Sequence, residues 1–248
     1  YDVMNNNWIS RGPCPCGESS KGYNIHADGH AFCFSCQKRF NNTGEAKVES
    51  KVVDIQNKIS STGEYGSIND RRISEQTAKK YRTRIRTDGS IISHHYYEYY
   101  NAEGSHVATK VRQVEGKRMW SQGDMGDALL FGQNLFKSGG KYITIVEGEV
   151  DAMSAYEMLG SKWAVVSIKN GVQSAVQNCK QHLEYLNTFE NVVVCFDNDK
   201  PGIESSQKVA QLFEPNKCKI VRLDHKDANE YHKLGKSKDF VQDWWSAE

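Results

Sequence analysis

The sequence predicts an α/β fold with a mostly parallel sheet in its C-terminal half. An α+β segment rich in basic residues and a small cysteine-bearing module precede it. Three observations predict this. From residue 141 onward short apolar runs alternate with amphipathic stretches, the pattern of βαβ units. Acidic clusters follow those apolar runs directly, where the strand ends of an open α/β sheet gather a ligand. Cys14, Cys16, Cys33 and Cys36 sit in two close pairs near the N-terminus.

The first module spans residues 1–43. It has no long apolar run and cannot bury a core alone, so it needs a staple. Cys14-Pro15-Cys16 and Cys33-Phe34-Ser35-Cys36 bracket Asp28-Gly29, and glycine there permits the positive φ of a hairpin turn. Four thiolates on two knuckles joined by a hairpin suit one structural, tetrahedral Zn²⁺, whose binding supplies the missing folding energy. The first pair is spaced C-x-C where zinc ribbons usually show C-x₂-C, and His26 or His30 in place of Cys14 is the alternative ligand set. The total of seven cysteines is odd, which argues against a disulfide framework. Cys179, Cys195 and Cys218 lie in apolar surroundings and read as core residues.

Residues 44–66 have the Asn, Gly, Ser, Glu and Lys composition of a flexible linker. Residues 67–138 form the basic segment. Ile73 to Tyr81 reads as a helix capped by Ser74. Residues 91–115 read as β, with a turn at 102–105. Arg71, Arg72, Lys79, Lys80, Arg82, Arg84 and Arg86 crowd one stretch in which Glu75 is the sole acid. Lys110 and Arg112 are two apart on a strand and share a face, which suits a triphosphate or a nucleic-acid backbone. Taken alone, a solvated charged strand is the more common explanation of that pair. Lys117 and Arg118 follow on the next turn. Tyr96, Tyr97, Tyr99 and Tyr100 are read as strand packing in preference to base stacking.

Residues 139–248 hold the alternating pattern: strands over 142–146, 163–168, 191–196 and 218–223, with helices over about 151–159, 173–186 and 201–213 between them. Glu147, Glu149 and Asp151 follow the first strand, and Asp197 and Asp199 follow the third. Lys226-Asp227-Ala228-Asn229-Glu230 follows the last. Any one of these carboxylates could be a helix cap; clusters at three strand ends argue for a shared hard cation, Mg²⁺ or Mn²⁺, paired with substrate phosphates. Lys226 is placed to meet a phosphate.

Bulk composition narrows the classes. The balance of 32 Lys+Arg against 31 Asp+Glu means that a nucleic-acid partner must be argued from local segregation, not net charge. With 38% hydrophobic and 25% charged residues, the chain reads as globular. It contains no apolar run of the ~18–20 residues that span a bilayer and no signal-peptide core, so no membrane partner is expected. None of the 248 residues forms a G-x-x-x-x-G-K-S/T loop, so a helicase motor is not expected within them.

The E-G-E-x-D run at 147–151 and the D-x-D run at 197–199 resemble the TOPRIM motifs of primases, topoisomerases, nucleases and recombination mediators. Further motifs stand in a fixed order: Asp28-Gly29-His30, Arg72-Ile73-Ser74, Lys110-Val111-Arg112, Ala128-Leu129-Leu130-Phe131-Gly132, then TOPRIM, then the Lys226–Glu230 run. In that order the chain resembles the primase half of podophage bifunctional primase–helicases over about residues 12–232. The resemblance implies a zinc ribbon on Cys14, Cys16, Cys33 and Cys36 that reads the template trinucleotide through His30 beside Asp28. It implies nucleotide or template contacts at Lys110, Arg112 and Lys117 or Arg118. It implies a catalytic Glu147, acting as base or as shaper of the metal site, with Asp197 and Asp199 as the main metal ligands and Asp227 as a further one. The implied activity is DNA-templated synthesis of short RNA primers from NTPs on single-stranded DNA. The implied partners are a fused hexameric replicative helicase domain and a replicative DNA polymerase, in the host cytoplasm. Another TOPRIM enzyme, a nuclease or topoisomerase, and a non-catalytic single-strand-binding module are the rival classes.

Overall fold

The apolar runs from residue 141 onward become four parallel strands of one sheet, Gly140–Val146 and Phe189–Cys195 in the middle, with Ala164–Ser167 beside the first and Cys218–Ile220 beside the second. The structure, a computed structural model, describes residues 8–13, 23–26, 30–33, 39–40 and 62–248. The chain divides into two units, Tyr1–Asp54 and Ile55–Glu248. In the first, strands β1 (Trp8–Gly12), β2 (Tyr23–His26), β3 (Ala31–Cys33) and β4 (Arg39–Phe40) form an antiparallel meander. Tyr23 meets Phe40 edge-to-face, 5.0 Å between ring centres. β2 and β3 pair on either side of the expected hairpin turn, with Ile25 opposite Ala31. Asp28-Gly29 and the cysteines Cys14, Cys16 and Cys36 lie outside the described residues.

The second unit begins with Glu64 bridged to Ile85, so the last residues of the expected linker span are paired to a strand. Helix α1 (Glu75–Lys80) starts at Ser74, whose Oγ accepts from Thr77 N at 3.3 Å. Strands β5 (Thr83–Asp88), β6 (Ile91–Tyr100), β7 (His106–Gln113) and β8 (Met119–Gly123) form an antiparallel sheet in sequence order. The β6–β7 turn closes through Gly104 N on Asn101 O at 3.0 Å. Tyr97 and Tyr99 are fully buried and Tyr96 and Tyr100 nearly so, which is packing in place of an exposed stacking surface.

The parallel sheet follows as β9 (Gly140–Val146), α2 (Glu149–Met158), β10 (Ala164–Ser167), α3 (Ala175–Gln181), α4 (Leu183–Asn187), β11 (Phe189–Cys195), α5 (Lys200–Ala210) and β12 (Cys218–Ile220). The expected helix over 173–186 is two helices, because His182 leaves helical geometry at φ −112° and ψ 16°. The sheet is covered on both faces, which is why its strands read as unbroken apolar runs. Val193, Cys195 and Val146 pack toward Met153, Tyr231 and Trp244; Ile143, Ile145, Val192 and Val194 pack toward Cys179, Leu186 and Val209. Each fully buried Val or Ile side chain contributes roughly 1.5–3 kcal/mol. Cys179 and Cys195 are buried thiols and Cys218 is half-buried, in keeping with a packing role.

Past β12 the chain forms two more helices, α6 (Ala228–Leu234) and α7 (Ser237–Trp245). Phe240 and Trp244, one turn apart, are the buried face of α7. Trp244 Nε1 donates to Thr144 Oγ1 of the central strand at 3.0 Å, and Ile220 N donates to Glu248 O at 2.6 Å. The C-terminal residues therefore complete one face and one edge of the sheet. Among the described residues no helix is long and apolar enough to cross a membrane.

Candidate active site

The chain leaves β9 for β10 on one side and returns to β11 on the other, which opens a crevice between the C-terminal ends of β9 and β11. Val146 and Cys195 are register partners, so the residues after them emerge side by side. Glu147 Oε1 accepts from Asp197 N at 3.1 Å. Gly202 in the first turn of α5 allows this approach: a Cβ there would stand 2.2 Å from Asp197 O and 2.9 Å from Glu147 Oε1. Asp199 caps α5, its Oδ1 accepting from Gly202 N at 2.9 Å. Asp227 caps α6 by accepting from Glu230 N at 2.8 Å, while Glu230 Oε2 accepts from Lys226 N at 2.8 Å. Asp151 Oδ1 accepts from Asn229 N at 3.1 Å, which joins the first cluster to the third.

Glu147, Asp151, Asp197, Asp199 and Asp227 thus form one electrostatic group. Burial and the charges of Asp197 and Asp199 push the Glu147 carboxyl up to about 7. Burial, and then Asp227, push Asp197 up to about 6. Burial, Asp227 and Asp197 hold Asp151 well above the usual carboxylate range. Lys226 is the cation that offsets Glu147 and Asp197. Among the described residues no three acidic, histidine or cysteine side chains converge on one metal point, and one oxygen each of Glu147, Asp199 and Asp227 accepts from a backbone amide. The donor set is nonetheless all carboxylate and mutually repelling, half-buried except at the exposed Asp199, which fits a hard divalent cation.

This repulsion gives a testable stability profile. A carboxyl whose folded pKa is raised binds more protons in the native state than in the unfolded state, so stability falls as pH rises through that window. Glu147 and Asp197 set the window from about 4 to about 7. Burial holds His182 down at about 4, which works in the opposite direction below its ordinary value of 6.5. We expect the metal-free melting temperature to rise as pH is lowered from 8 to about 6.5, and millimolar Mg²⁺ at pH 8 to raise it as well. A thermal melt that is flat in both pH and Mg²⁺ would remove the metal assignment.

Glu149 lies apart from this group. It opens α2, is buried, and accepts from Lys110 Nζ and from Tyr99 OH. Lys110 also donates to Lys169 O at the end of β10. Arg112 stands two residues on in β7, opposite His95 and Met119, and its buried Nε has no hydrogen-bond partner. Lys117 and Arg118 are exposed on the β7–β8 turn. His30 is half-buried at the start of β3, and Asp28 lies outside the described residues.

Three contributors escape a reading of the sequence. Asn229 Nδ2 donates to Arg71 O and to Ser154 Oγ, both at 2.9 Å, and so ties the segment before α1 to α2 and α6. Its place beside Asp227 was the available signal. Asp70 accepts from His95 Nε2 at 3.1 Å and pairs with Arg71 at 3.3 Å, while His95 Nδ1 meets Tyr97 OH at 2.9 Å. Lys169 is buried with its Nζ on Ala128 O at 2.6 Å, and burial lowers its pKa. Its position at a strand end was the signal there.

Comparison with known proteins agrees with this geometry. A family model described as Toprim-like matches residues 144–232. The DNA helicase/primase of Enterobacteria phage T3 is 31% identical over 97% of the chain, and the chain spans 44% of that curated relative. The crystal structure of the primase fragment of the bacteriophage T7 primase-helicase protein is 30% identical, with a TM-score of 0.69 over 95% of this chain and 99% of that one. A structure of the bacteriophage T7 lagging-strand DNA polymerase interacting with primase domains bound to an RNA/DNA hybrid and dTTP matches at 32% identity. Its TM-score is 0.67, over 75% of this chain and 93% of that one. Matched almost end to end by a solved primase fragment, with the Toprim-like carboxylates at the switch point of its parallel sheet, this chain belongs to the primase family of the T7-like phage primase–helicases.

Proposed function

We propose that the chain is a DNA primase, a nucleotidyltransferase that makes short RNA primers on single-stranded DNA from NTPs. The observation that carries this reading is the carboxylate group at the β9–β11 switch point within a chain matched along its length by a primase fragment. Glu147, Asp197, Asp199 and Asp227 would hold Mg²⁺ (or Mn²⁺), with Asp151 beneath them. Bound there, the cation supplies charge neutralisation to the triphosphate and activation of the attacking 3′-hydroxyl. The 3′-hydroxyl would give up its proton to Glu147 or to solvent, its oxygen would bond to the α-phosphorus as the bond to the bridging oxygen breaks, and pyrophosphate would leave with that electron pair.

The chain's own residues do the positioning. Glu149 fixes the Lys110 ammonium at the inner face of β7, and Arg112 presents a second cation from the same face. Lys117, Arg118 and Lys226 are exposed cations suited to template, primer or nucleotide phosphates. In the N-terminal unit, Cys14, Cys16, Cys33 and Cys36 would bind one Zn²⁺, with Asp28 and His30 reading the template. A fused helicase and a replicative DNA polymerase are the partners that the relatives' descriptions support.

Incubation with single-stranded DNA, Mg²⁺ and labelled NTPs should give RNA products a few nucleotides long. Nicking of plasmid without NTPs, and no RNA products, would assign the site to a nuclease instead.

A further inference from the structure

Beside the carboxylate group, a cavity of about 210 Å³ is lined by Arg71, Lys226, Asp227, Asn229, Glu230, Lys233 and Leu234. Its walls are built before any ligand arrives. Asn229 Nδ2 holds the Arg71 carbonyl at 2.9 Å, and Arg72 Nη1 holds the Lys233 carbonyl at 3.1 Å, so the segment before α1 is fastened to both ends of α6.

Three cations border this space. The Arg71 guanidinium is largely buried; Asp70 lies 3.3 Å from its Nε, but that nitrogen makes no hydrogen bond. Lys226 and Lys233 are exposed, with Lys226 Nζ 4.0 Å from Asp227. Of the two acids in the lining, Asp227 Oδ1 accepts from Glu230 N and Glu230 Oε2 from Lys226 N, so one oxygen of each is held by a backbone amide, and three cations against two acids leave the lining net cationic. The cavity therefore offers cationic donors to an anion, and Lys226 links it to Glu147 and Asp197 electrostatically.

We propose that the cavity bounded by Arg71, Lys226 and Lys233 is a diphosphate subsite, taking either the β- and γ-phosphates of a bound NTP or the pyrophosphate released from it. This rests on the primase reading. A diphosphate carries several negative charges on a short span, and separate cations on opposite walls match that better than one clamp matches a single phosphate. Placed beyond Asp227, it would also draw the leaving group away from the metal-binding carboxylates.

The test is calorimetric titration of inorganic pyrophosphate into the full chain without added divalent metal, which needs neither template nor polymerisation. Lys233→Glu should weaken binding about tenfold or more, Lys233→Arg should retain it, and Lys238→Glu on α7 should leave it unchanged. Lys233 is exposed, so the fold should tolerate the changes; a thermal melt checks this. In primer synthesis, a raised KM for NTP in Lys233→Glu identifies the nucleotide tail as occupant. An unchanged KM with weaker inhibition by pyrophosphate identifies the released product. No pyrophosphate binding by the wild type, equal binding by Lys233→Glu, or equal weakening by Lys238→Glu overturns the subsite. Lys233-dependent pyrophosphate binding by a chain that makes no RNA would instead overturn the primase reading on which it rests.

Discussion

Replacing Asp197 with Asn should abolish primer synthesis while making the metal-free protein slightly more stable. Asn keeps the shape of the side chain and the backbone amide of residue 197 that Glu147 accepts, so the crevice should keep its form. It removes one of the charges that attract a cation. Metal assistance is worth several kcal/mol of transition-state stabilisation, so the expected loss in RNA product is at least about 10³-fold. Stability should move the other way. Asp197 is held up at about 6 by burial and by Asp227, so at pH 8 its charge is carried at a cost to the folded state. Removing it should raise the metal-free melting temperature by roughly 2 °C and reduce the further rise on adding Mg²⁺. Asp227→Asn should likewise cut primer synthesis, and because Asn also caps a helix the α6 start survives. Wild-type RNA yield from the Asp197 variant would sink the assignment; a lower melting temperature would show that the carboxylate holds the crevice together.

The parallel sheet was legible in the sequence because strands buried on both faces read as apolar runs, and each run ends in a polar cluster. Ser74 was legible as a cap because a β-region Ser followed by a good helix former has one common use. Strand order was not legible: nothing local in β9 records that β10 and β11 lie on either side of it, and that arrangement creates the crevice. The fate of Glu149 was hidden for a geometric reason. In extended chain, residues two apart share a face, so Glu147 and Glu149 read as a pair. The helix instead begins at Glu149, and at 3.6 residues per turn that residue swings toward the β6–β7 sheet while Glu147 stays at the strand end. Helices α6 and α7 were illegible because their polar, Lys-rich sequences hide short buried faces, Tyr231 in one and Phe240 with Trp244 in the other. Asn229 belongs to the same class of residue: its value lies in contacts to Arg71 and Ser154, far away in the chain.

The Lys110–Glu149 pair should separate structure from chemistry most sharply. Both side chains are nearly buried, at 11% and 5% exposure, one on strand β7 and the other opening helix α2 of the same unit. Breaking a buried ion pair strands one charge in low dielectric and costs about 3–5 kcal/mol. Lys110→Met leaves Glu149 with Tyr99 OH, and Glu149→Gln leaves Lys110 with the Lys169 carbonyl. Each single variant should melt about 10 °C lower. The double variant Lys110→Met with Glu149→Gln carries no uncompensated charge, so most of that loss should return, and the coupling energy from the double-mutant cycle should be at least as large as the cost of either single variant. Primer synthesis should not return with it. If Lys110 meets the triphosphate, the double variant should fold like the wild type yet show a raised KM for NTP and little product. Lys110→Arg should test the same point from the other side, since it keeps the charge but puts a planar fork where a point charge fits. A double variant as unstable as the singles would show that the pair is not what holds β7 against α2. A stable double variant with full primer yield would show that Lys110 serves the fold alone, and the cation at the phosphates would have to be sought at Arg112.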